Sequence, residues 1–366
     1  MTIYIVVIML TTLTAHFFSK ARKSIIKKPL FVLLIIIPSL FSGLRGVGTD
    51  YLMLINNNDR IINSRYYAVD YSSLWIQLLL LGGRYRINPQ VLILLCSLFT
   101  VGIAFWIFRI YEKYISFSFA VFSFMTSFYL LSFNLYRQLL ANEILFLGIV
   151  LYATEKSKIK YWICGILSAW IHSSCILFLP IIFVWNLIVD KKYKNKRTMV
   201  YIIGLALVFS IPFFSRHISW IRDYFPHYEY YFRSFSFQGF GTGFLRYLIL
   251  AVVPAIYYQR SKRYDKLVDA NMEYLIFFSI FGSIIWLTSY ISDAFIYRIS
   301  FPMLVALPLL HGLIAKDIRC DNKNIYKRKG LLYIMLSVLA ISVFFYYDFV
   351  IVNSGLIIPY KFFWEI

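Results

Sequence analysis

Runs of apolar residues close to the length of a membrane span recur from one end of this sequence to the other. A helix that crosses a bilayer needs about 20 such residues. Of the 366 residues, 60% are hydrophobic and 15% are charged, whereas soluble domains carry about 25% charged residues. No ordinary soluble domain fits between the runs. The sequence therefore predicts one all-α polytopic membrane domain over residues 1–366, with about 10–12 transmembrane helices.

Clusters of lysine and arginine flank the apolar runs and account for the net charge of +20. Such residues are enriched in short cytoplasmic loops, so residues 20–28 and 316–329 are expected in the cytoplasm and the N-terminus outside. Bases and aromatic rings do not form a contiguous patch that would stack single strands, so no nucleic-acid partner is predicted. The four cysteines lack the spacing of metal ligands and are expected to be small core residues. The first run lacks a cleavage site, which indicates a retained helix.

Two connections and two unusual segments set the expected topology. Residues 45–72 and 215–243 are predicted to form outer loops. Residues 73–81 are apolar but too short to cross, which indicates a re-entrant or interfacial helix. Residues 161–188 are long for one span and have lysines at both ends, so the charge distribution favours a hairpin with His172 near its tip over a single span.

A short polar stretch after the second apolar run is the first candidate for a site. Residues 45–51 read Arg-Gly-Val-Gly-Thr-Asp-Tyr. Charged groups at a membrane boundary are costly unless they are paired or hydrated, and glycine lets a ligand approach the backbone closely. The same stretch fits a helix C-cap followed by a solvated loop, and the residues alone leave both interpretations open.

The predicted topology brings polar groups from distant parts of the chain to the outer face. The candidate residues are Arg45, Gly48, Asp50, Tyr51, Arg84, Arg137, Gln138, His172, Arg222 and Arg298. Arginine binds phosphate through two parallel, charge-assisted hydrogen bonds and stays ionised, so this cluster fits a lipid-linked phosphate or diphosphate. Asp50 or His172 can act as the base that activates a hydroxyl. Tyr51 and other aromatic residues can stack on sugar faces.

Several of these side chains also have a purely structural explanation. Arg137 and Arg298 can extend from helix ends to reach water. A single histidine in an apolar helix, such as His172, is commonly a hydrogen-bonded packing residue. Gln138 can act as a polar clamp between helices.

Four motifs follow one another along most of the chain. They are residues 45–51, Tyr136-Arg137-Gln138-Leu139-Leu140-Ala141, Ala169-Trp170-Ile171-His172-Ser173-Ser174 with Leu179-Pro180 behind it, and Tyr297-Arg298 at the start of a late helix. Each motif is short, but their order and topology together resemble the EpsG-like, Wzy-type polysaccharide polymerases of bacterial envelopes.

The resemblance implies an activity, partners and a location. Such proteins take a growing glycan from its undecaprenyl diphosphate carrier and join it to the non-reducing end of a new lipid-linked repeat unit. The transfer takes place at the outer face of the bacterial inner (plasma) membrane, without nucleotide sugar or metal. The expected partners are undecaprenyl-diphosphate-linked glycans and membrane lipids, and a regulator of chain length fits the same scheme. O-antigen, capsule and exopolysaccharide remain open as products.

The roles expected on this basis divide the candidates into two groups. Catalytic roles are expected for Asp50, Arg137, His172 and Arg298, and substrate-binding roles for Arg45, Gly48, Tyr51, Arg84, Gln138 and Arg222. The arginines would stabilise the charge that develops on the diphosphate, as a metal does elsewhere.

Two other classes of membrane protein compete with a polymerase. A flippase or solute carrier is expected to have functional charges near mid-membrane and paired broken helices. A membrane acyltransferase also uses a histidine within the membrane, but its charged residues are expected on the cytoplasmic side with the acyl donor.

Overall fold

Helices make up nearly all of the structure. The computed structural model describes residues 1–63, 73–189, 246–261, 266–288, 295–320, 324–353 and 356–365, with the isolated positions 199, 202 and 206. This described part is 85% helical and has no strand, which confirms the all-α prediction. The predicted outer loop 215–243 lies outside the described residues.

The helices follow in order along the chain and are numbered here in that order. They are α1 Thr2–Lys20, α2 Ser24–Gly43, α3 Thr49–Ile62, α4 Leu74–Arg84, α5 Pro89–Ile110, α6 Phe117–Phe124, α7 Tyr136–Glu155, α8 Lys158–Ile171, α9 Ile181–Val189, α10 Arg246–Ser261, α11 Lys266–Thr288, α12 Phe295–Leu304, α13 Leu307–Cys320 and α14 Asn324–Tyr346. Short π-helical or 3₁₀ turns are Met125–Tyr129, Leu130–Phe133, Ser173–Phe178, Tyr347–Ile351 and Phe363–Glu365.

Within the described residues, six stretches of helix are long and apolar enough to cross a membrane. They are Thr2–Lys20, Ser24–Gly43, Pro89–Ile110, Tyr136–Glu155, Arg298–Lys316 and Leu331–Ile351. Shorter apolar helices pack among them. The chain is therefore a multi-pass membrane protein.

The helix bundle has two chemically different ends. At the basic end, where α1 stops and α2 starts, Lys27 forms an ion pair with Glu112, and the Arg109 guanidinium lies 4.8 Å from the centre of the Phe31 ring. At the opposite end, called here the Arg45 end, α2 stops and α5 and α7 start. The polar residues of the four sequence motifs lie at this second end.

Close packing of α2 on α5 positions the chain that follows Gly43. A Cβ atom on Gly43 would approach Leu94 Cα to 2.8 Å, so only glycine allows this contact. The start of α5 is fixed by Asn88, whose Oδ1 accepts from Gln90 N at 2.9 Å, and by Pro89 in the first helical turn. The Gln90 amide then donates to the carbonyls of Gly43 and Arg45.

The apolar segment from 117 to 133 is not one regular helix. Helix α6 continues as a π-helical turn and then a 3₁₀ turn that ends at Phe133, an irregularity that is frequent at functional sites. Tyr129 Oη donates to the Pro38 carbonyl at 2.8 Å, and Ser132 Oγ donates to the Tyr129 carbonyl at 2.6 Å. The break thereby presents main-chain carbonyls of residues 132 and 133 toward the end of α2.

Residues 158–189 form the predicted hairpin. Helix α8 ends at Ile171, and the chain returns through the 3₁₀ turn Ser173–Phe178. Tyr161 Oη donates to the Leu179 carbonyl at 2.8 Å, so the start of α8 lies beside the returning chain. His172 is at the tip, as predicted, and the interpretation of this segment as a single span is wrong.

Helices α3 and α4 lie at the Arg45 end. Ser73 Oγ, just before α4, donates to the Ile171 carbonyl at 3.2 Å, and a Cβ atom on Gly83 would approach Ile62 Cδ1 to 2.7 Å. Helix α4 has 11 residues, about half of what a crossing helix needs, which agrees with the predicted interfacial segment. Helix α3 continues through the polar residues 56–60.

A C-terminal segment, residues 357–363, returns to the Arg45 end and pairs with the chain after α2. Gly46 N donates to the Lys361 carbonyl at 2.7 Å, and Phe363 N donates to the Leu44 carbonyl at 3.0 Å. Tyr360 Oη donates to the Phe41 carbonyl at 2.8 Å. These bonds hold the residues on both sides of Arg45 in place.

Ending the chain after Pro359 is expected to lower the midpoint of thermal unfolding of the full protein in detergent. The change removes all three bonds just described, each contributing about 0.5–1.5 kcal/mol. A chain that ends after Phe363 keeps them and serves as the matched control. Equal midpoints for the two variants would contradict a stabilising role for this segment.

Candidate active site

The Arg45 side chain lies inside the protein and has no exposed surface. Its guanidinium donates to the carbonyl of Ser42, and to those of Ser132 at 3.3 Å and Phe133 at 3.1 Å. It also lies 5.0 Å from the centre of the Phe133 ring and 5.7 Å from that of Tyr136. The side chain thus ties the end of α2 to the turn before α7, whereas direct contact with substrate was expected.

Gly48 allows the chain to turn sharply into α3. Its φ is +107°, a conformation that residues with a side chain rarely adopt, and a Cβ atom would approach the Phe133 carbonyl oxygen to 2.5 Å. Next to it, Asn134 Oδ1 accepts from Thr49 N at 2.9 Å. The packing of this turn against Phe133 and Asn134 therefore accounts for the glycine at position 48 without a ligand.

Asp50 lies in the first turn of α3, where the positive end of the helix dipole favours a carboxylate. Burial raises the pKa of the Asp50 carboxyl above its ordinary value of 3.8, and the positive charges of Arg298, Arg137 and Arg45 oppose this in decreasing order. Residues from three distant parts of the chain therefore act electrostatically on one carboxyl group.

Gln138 joins the two helices that carry Arg137 and Arg298. Its side-chain Nε2, in the first turn of α7, donates to the main-chain carbonyl of Arg298 in α12. Gln138 is 2% exposed. Its amide fits the polar clamp considered from sequence, and it fixes the separation of the two arginine backbones.

His172 belongs to the same group of residues. The positive charges of Arg137 and Arg298 both act on its ring. Nδ1 accepts from Ser174 N at 3.4 Å and hydrogen-bonds with Ser174 Oγ at 2.8 Å. The tip of the hairpin is thereby oriented beside the two arginines.

The remaining candidate residues lie in different surroundings. Tyr51 is 3% exposed and lines a cavity beside α3. Arg84 is exposed at the end of α4 and is not among the charges acting on Asp50 or His172. Arg222 lies outside the described residues. Substrate-binding roles for all three stay predictions.

Sequence reasoning missed residues that position the site. Trp75 packs edge-on against Tyr136 with ring centres 5.1 Å apart, and its buried indole N–H has no hydrogen-bond partner among the described residues. Asn134 caps the start of α3, as described above. Asn134 was visible as a polar residue before the second motif, whereas no local pattern distinguishes Trp75 from other membrane tryptophans.

The arrangement can bind an anion and accept a proton at one place. Two arginines supply charge-assisted donors, Asp50 supplies a carboxylate and His172 supplies an imidazole. Among the described residues, no three His, Cys, Asp or Glu side chains lie together as a metal site would require. The positive charges that act on Asp50 and His172 are those of arginine side chains.

These features define a class: a multi-pass α-helical membrane protein whose charged side chains meet at one end of the bundle. Residues 28–362 match the model of the EpsG family, a region that includes all four motifs, and the chain belongs to that family. Membership indicates a polymerase of polysaccharide biosynthesis. Comparison with curated proteins and with solved structures gives no match.

Gly48→Ala is expected to lower the thermal midpoint of the purified protein. The left-handed conformation alone costs a residue with a side chain about 1–2 kcal/mol, and the contact with the Phe133 carbonyl adds to this. Gly102→Ala, within α5, is the matched control, because its Cβ would lie 3.8 Å from Ile35 and alanine favours a helix. A Gly48→Ala midpoint equal to that of Gly102→Ala would contradict the conformational requirement.

Proposed function

We propose that the chain joins undecaprenyl-diphosphate-linked repeat units into a polysaccharide by glycosyl transfer at the outer face of the inner membrane. The observation that carries this proposal is that Gln138 ties the backbone of Arg298 to the start of α7, next to Arg137, and that the charges of both arginines act on Asp50 and His172. A diphosphate leaving group needs cationic donors beside it, and an acceptor hydroxyl needs a base.

The proposed reaction exchanges one glycosidic oxygen for another. The acceptor hydroxyl oxygen forms a bond to the anomeric carbon of the growing glycan, and the bond from that carbon to the lipid diphosphate breaks. The hydroxyl proton passes to the Asp50 carboxylate. The leaving diphosphate takes the bonding electron pair, and Arg137 and Arg298 stabilise its charge through paired hydrogen bonds.

The hydrogen bonds of His172 favour Asp50 as the base. Because Nδ1 accepts from the Ser174 main chain, a neutral ring carries its proton on Nε2. The remaining nitrogen is then a hydrogen-bond donor. We assign His172 to a phosphate oxygen and Asp50 to the acceptor hydroxyl.

Arg45 has a positioning role in this proposal. Its donors are directed at main-chain carbonyls, and it is fully buried. It contributes positive charge near Asp50 and holds the turn that precedes Arg137. Arg137 and Arg298 are therefore the two arginines assigned to the diphosphate.

Two adjoining cavities support an amphiphilic substrate. One, of about 490 Å³, lies along α3 and is lined by Tyr51, Ile55, Arg86 and Gln90 among others. The other, of about 200 Å³, lies between α4 and α5 and is lined mainly by leucine and isoleucine side chains. Both share the wall from Ile87 to Pro89. Of the candidate site residues only Tyr51 lines either cavity, so we assign the pair to the sugar and the apolar chain of the substrate and not to the reacting groups.

The orientation in the membrane follows from the charges at the two ends. Lysines and arginines are concentrated at the basic end and in the connections that the sequence places there, and such residues favour the cytoplasm. The Arg45 end then faces outward, where lipid-linked repeat units are polymerised. A flippase is less well supported, because its functional charges belong near mid-membrane. An acyltransferase is disfavoured because the site lies opposite the cytoplasmic acyl donor.

Arg137→Ala is expected to lower polymerisation about 100-fold or more, as loss of a preorganised donor does in other enzymes. The readout is the polysaccharide ladder in cells that express the variant at the parental level. Loss of polymerase leaves single repeat units, whereas loss of a flippase leaves none. Arg137→Lys is expected to recover only part of the activity, because lysine lacks the planar fork.

Arg109→Ala is the matched control for this experiment. Arg109 is also an arginine beside an aromatic ring, but it lies at the basic end. Cells that express Arg109→Ala should make polymer with the parental length distribution. Long polymer at the parental level in Arg137→Ala would overturn the diphosphate role.

The acid limb of the pH profile of the polymerisation rate is expected to reflect the titration of Asp50. A base acts when ionised, so the rate should rise with pH through the Asp50 pKa, which burial raises. Arg298→Gln removes the largest charge that lowers this pKa, and the limb should move to higher pH. Arg109→Gln should leave the limb in place, and an unmoved limb in Arg298→Gln would show that another group titrates.

A further inference from the structure

A polar cavity of about 240 Å³ lies at the basic end of the bundle. The polar residues that line it are His16, Ser19, Lys20, Ser116, Ser118 and Lys316, together with Glu112. None of them belongs to the candidate active site, which lies at the opposite end. The cavity is formed by the last turn of α1, the residues before α6 and the C-terminal half of α13.

Ser116 is the most informative residue of this cavity. It is 4% exposed, and its hydroxyl has no hydrogen-bond partner among the described residues. It occupies the N-cap position of α6 but its side chain does not cap the helix. A buried hydroxyl without a partner is costly, so a ligand in the cavity that reaches the Ser116 hydroxyl would supply the missing hydrogen bond.

The start of α6 adds further donors. Helix α6 has 8 residues, starts at Phe117 and continues into the π-helical turn. The first amide groups of a helix lack acceptors within it, and the positive end of the helix dipole favours an anion. Phe117 and Ser118, the first two residues of α6, both line the cavity.

The charges of the lining residues are also suited to an anion. Lys20 and Lys316 each contribute a positive charge. Glu112 is the acidic member of the lining, and its carboxylate is paired with Lys27. The net charge of the residues that line the cavity is therefore positive.

The donors are held in place by packing of α6 against α13. Ser116 N donates to the Gly312 carbonyl at 2.7 Å, and a Cβ atom on Gly312 would approach Ala120 Cβ to 2.9 Å. The position of Ser116 is thus set by the protein before any ligand arrives, which reduces the entropy lost on binding.

From these observations we infer that the cavity at the basic end binds a phosphate group, from an anionic phospholipid headgroup or from free phosphate. Phosphate oxygens accept hydrogen bonds and carry negative charge, which matches the serine hydroxyl, the amide groups and the two lysines. The inference does not depend on the proposed function, since it concerns the other end of the bundle.

Ser116→Ala separates binding from folding. The hydroxyl has no partner in the protein, so its removal should leave the thermal midpoint without ligand unchanged or raised. Binding of the phosphate group should weaken about tenfold, as loss of one hydrogen bond to a charged group predicts. Unchanged binding in this variant would overturn the inference.

Lys20→Gln with Lys316→Gln tests the charges, and Lys23→Gln with Lys28→Gln is the matched control. The control lysines are exposed near the same end and do not line the cavity. The full-length protein is purified in an uncharged detergent. One arm titrates inorganic phosphate and follows the thermal midpoint, and the other measures retained phosphatidylglycerol by native mass spectrometry.

The two arms distinguish the source of the phosphate. Free phosphate is supported if added phosphate raises the thermal midpoint of the control double variant (Lys23→Gln with Lys28→Gln) but not that of the cavity double variant (Lys20→Gln with Lys316→Gln). Retention of phosphatidylglycerol that falls about tenfold or more in the cavity pair alone supports a lipid headgroup. The inference is overturned if the two pairs behave alike with both probes.

Discussion

The buried guanidinium of Arg45 is the interaction on which the Arg45 end of the bundle depends. A charge without exposed surface is tolerated only when hydrogen bonds and nearby electron density compensate for lost water. Main-chain carbonyls at the end of α2 and at the break before α7 provide that compensation, with the faces of two aromatic rings. Because one side chain joins both segments, neither can move without leaving the charge unpaired.

This anchor determines where the remaining charges lie. The break before α7 leads directly to Arg137, and the Gln138 amide holds the backbone of Arg298 next to it. Two like charges brought together favour a nearby carboxylate, and the charges of both arginines act on Asp50. In the proposed reaction a diphosphate brings further negative charge to the same place, and Asp50 acts on the acceptor hydroxyl.

The two ends of the bundle offer different chemistry to an anion. At the Arg45 end the donors are planar guanidinium groups, which suit two-point contacts to a group whose charge changes during reaction. At the basic end they are flexible lysines, serine hydroxyls and helix amides, which suit a static phosphate. The two proposals together assign phosphate groups to both ends of the bundle for different purposes.

The sequence by itself predicted the membrane class, a hairpin at residues 161–188, a short re-entrant or interfacial segment at residues 73–81 and a common end of the bundle for Asp50, Arg137, His172 and Arg298. These features follow from the length of the apolar runs and the position of the basic clusters, because a bilayer allows few backbone structures to cross it and basic residues favour cytoplasmic loops. Only the tertiary structure decided that Arg45 points inward, that Trp75 packs on Tyr136 and that residues 357–363 pair with the end of α2. Two of the carbonyls that accept from Arg45, those of Ser132 and Phe133, are 87 and 88 residues away in sequence. A local sequence pattern shows that a side chain is charged, but it does not show which distant atoms the tertiary packing places beside it.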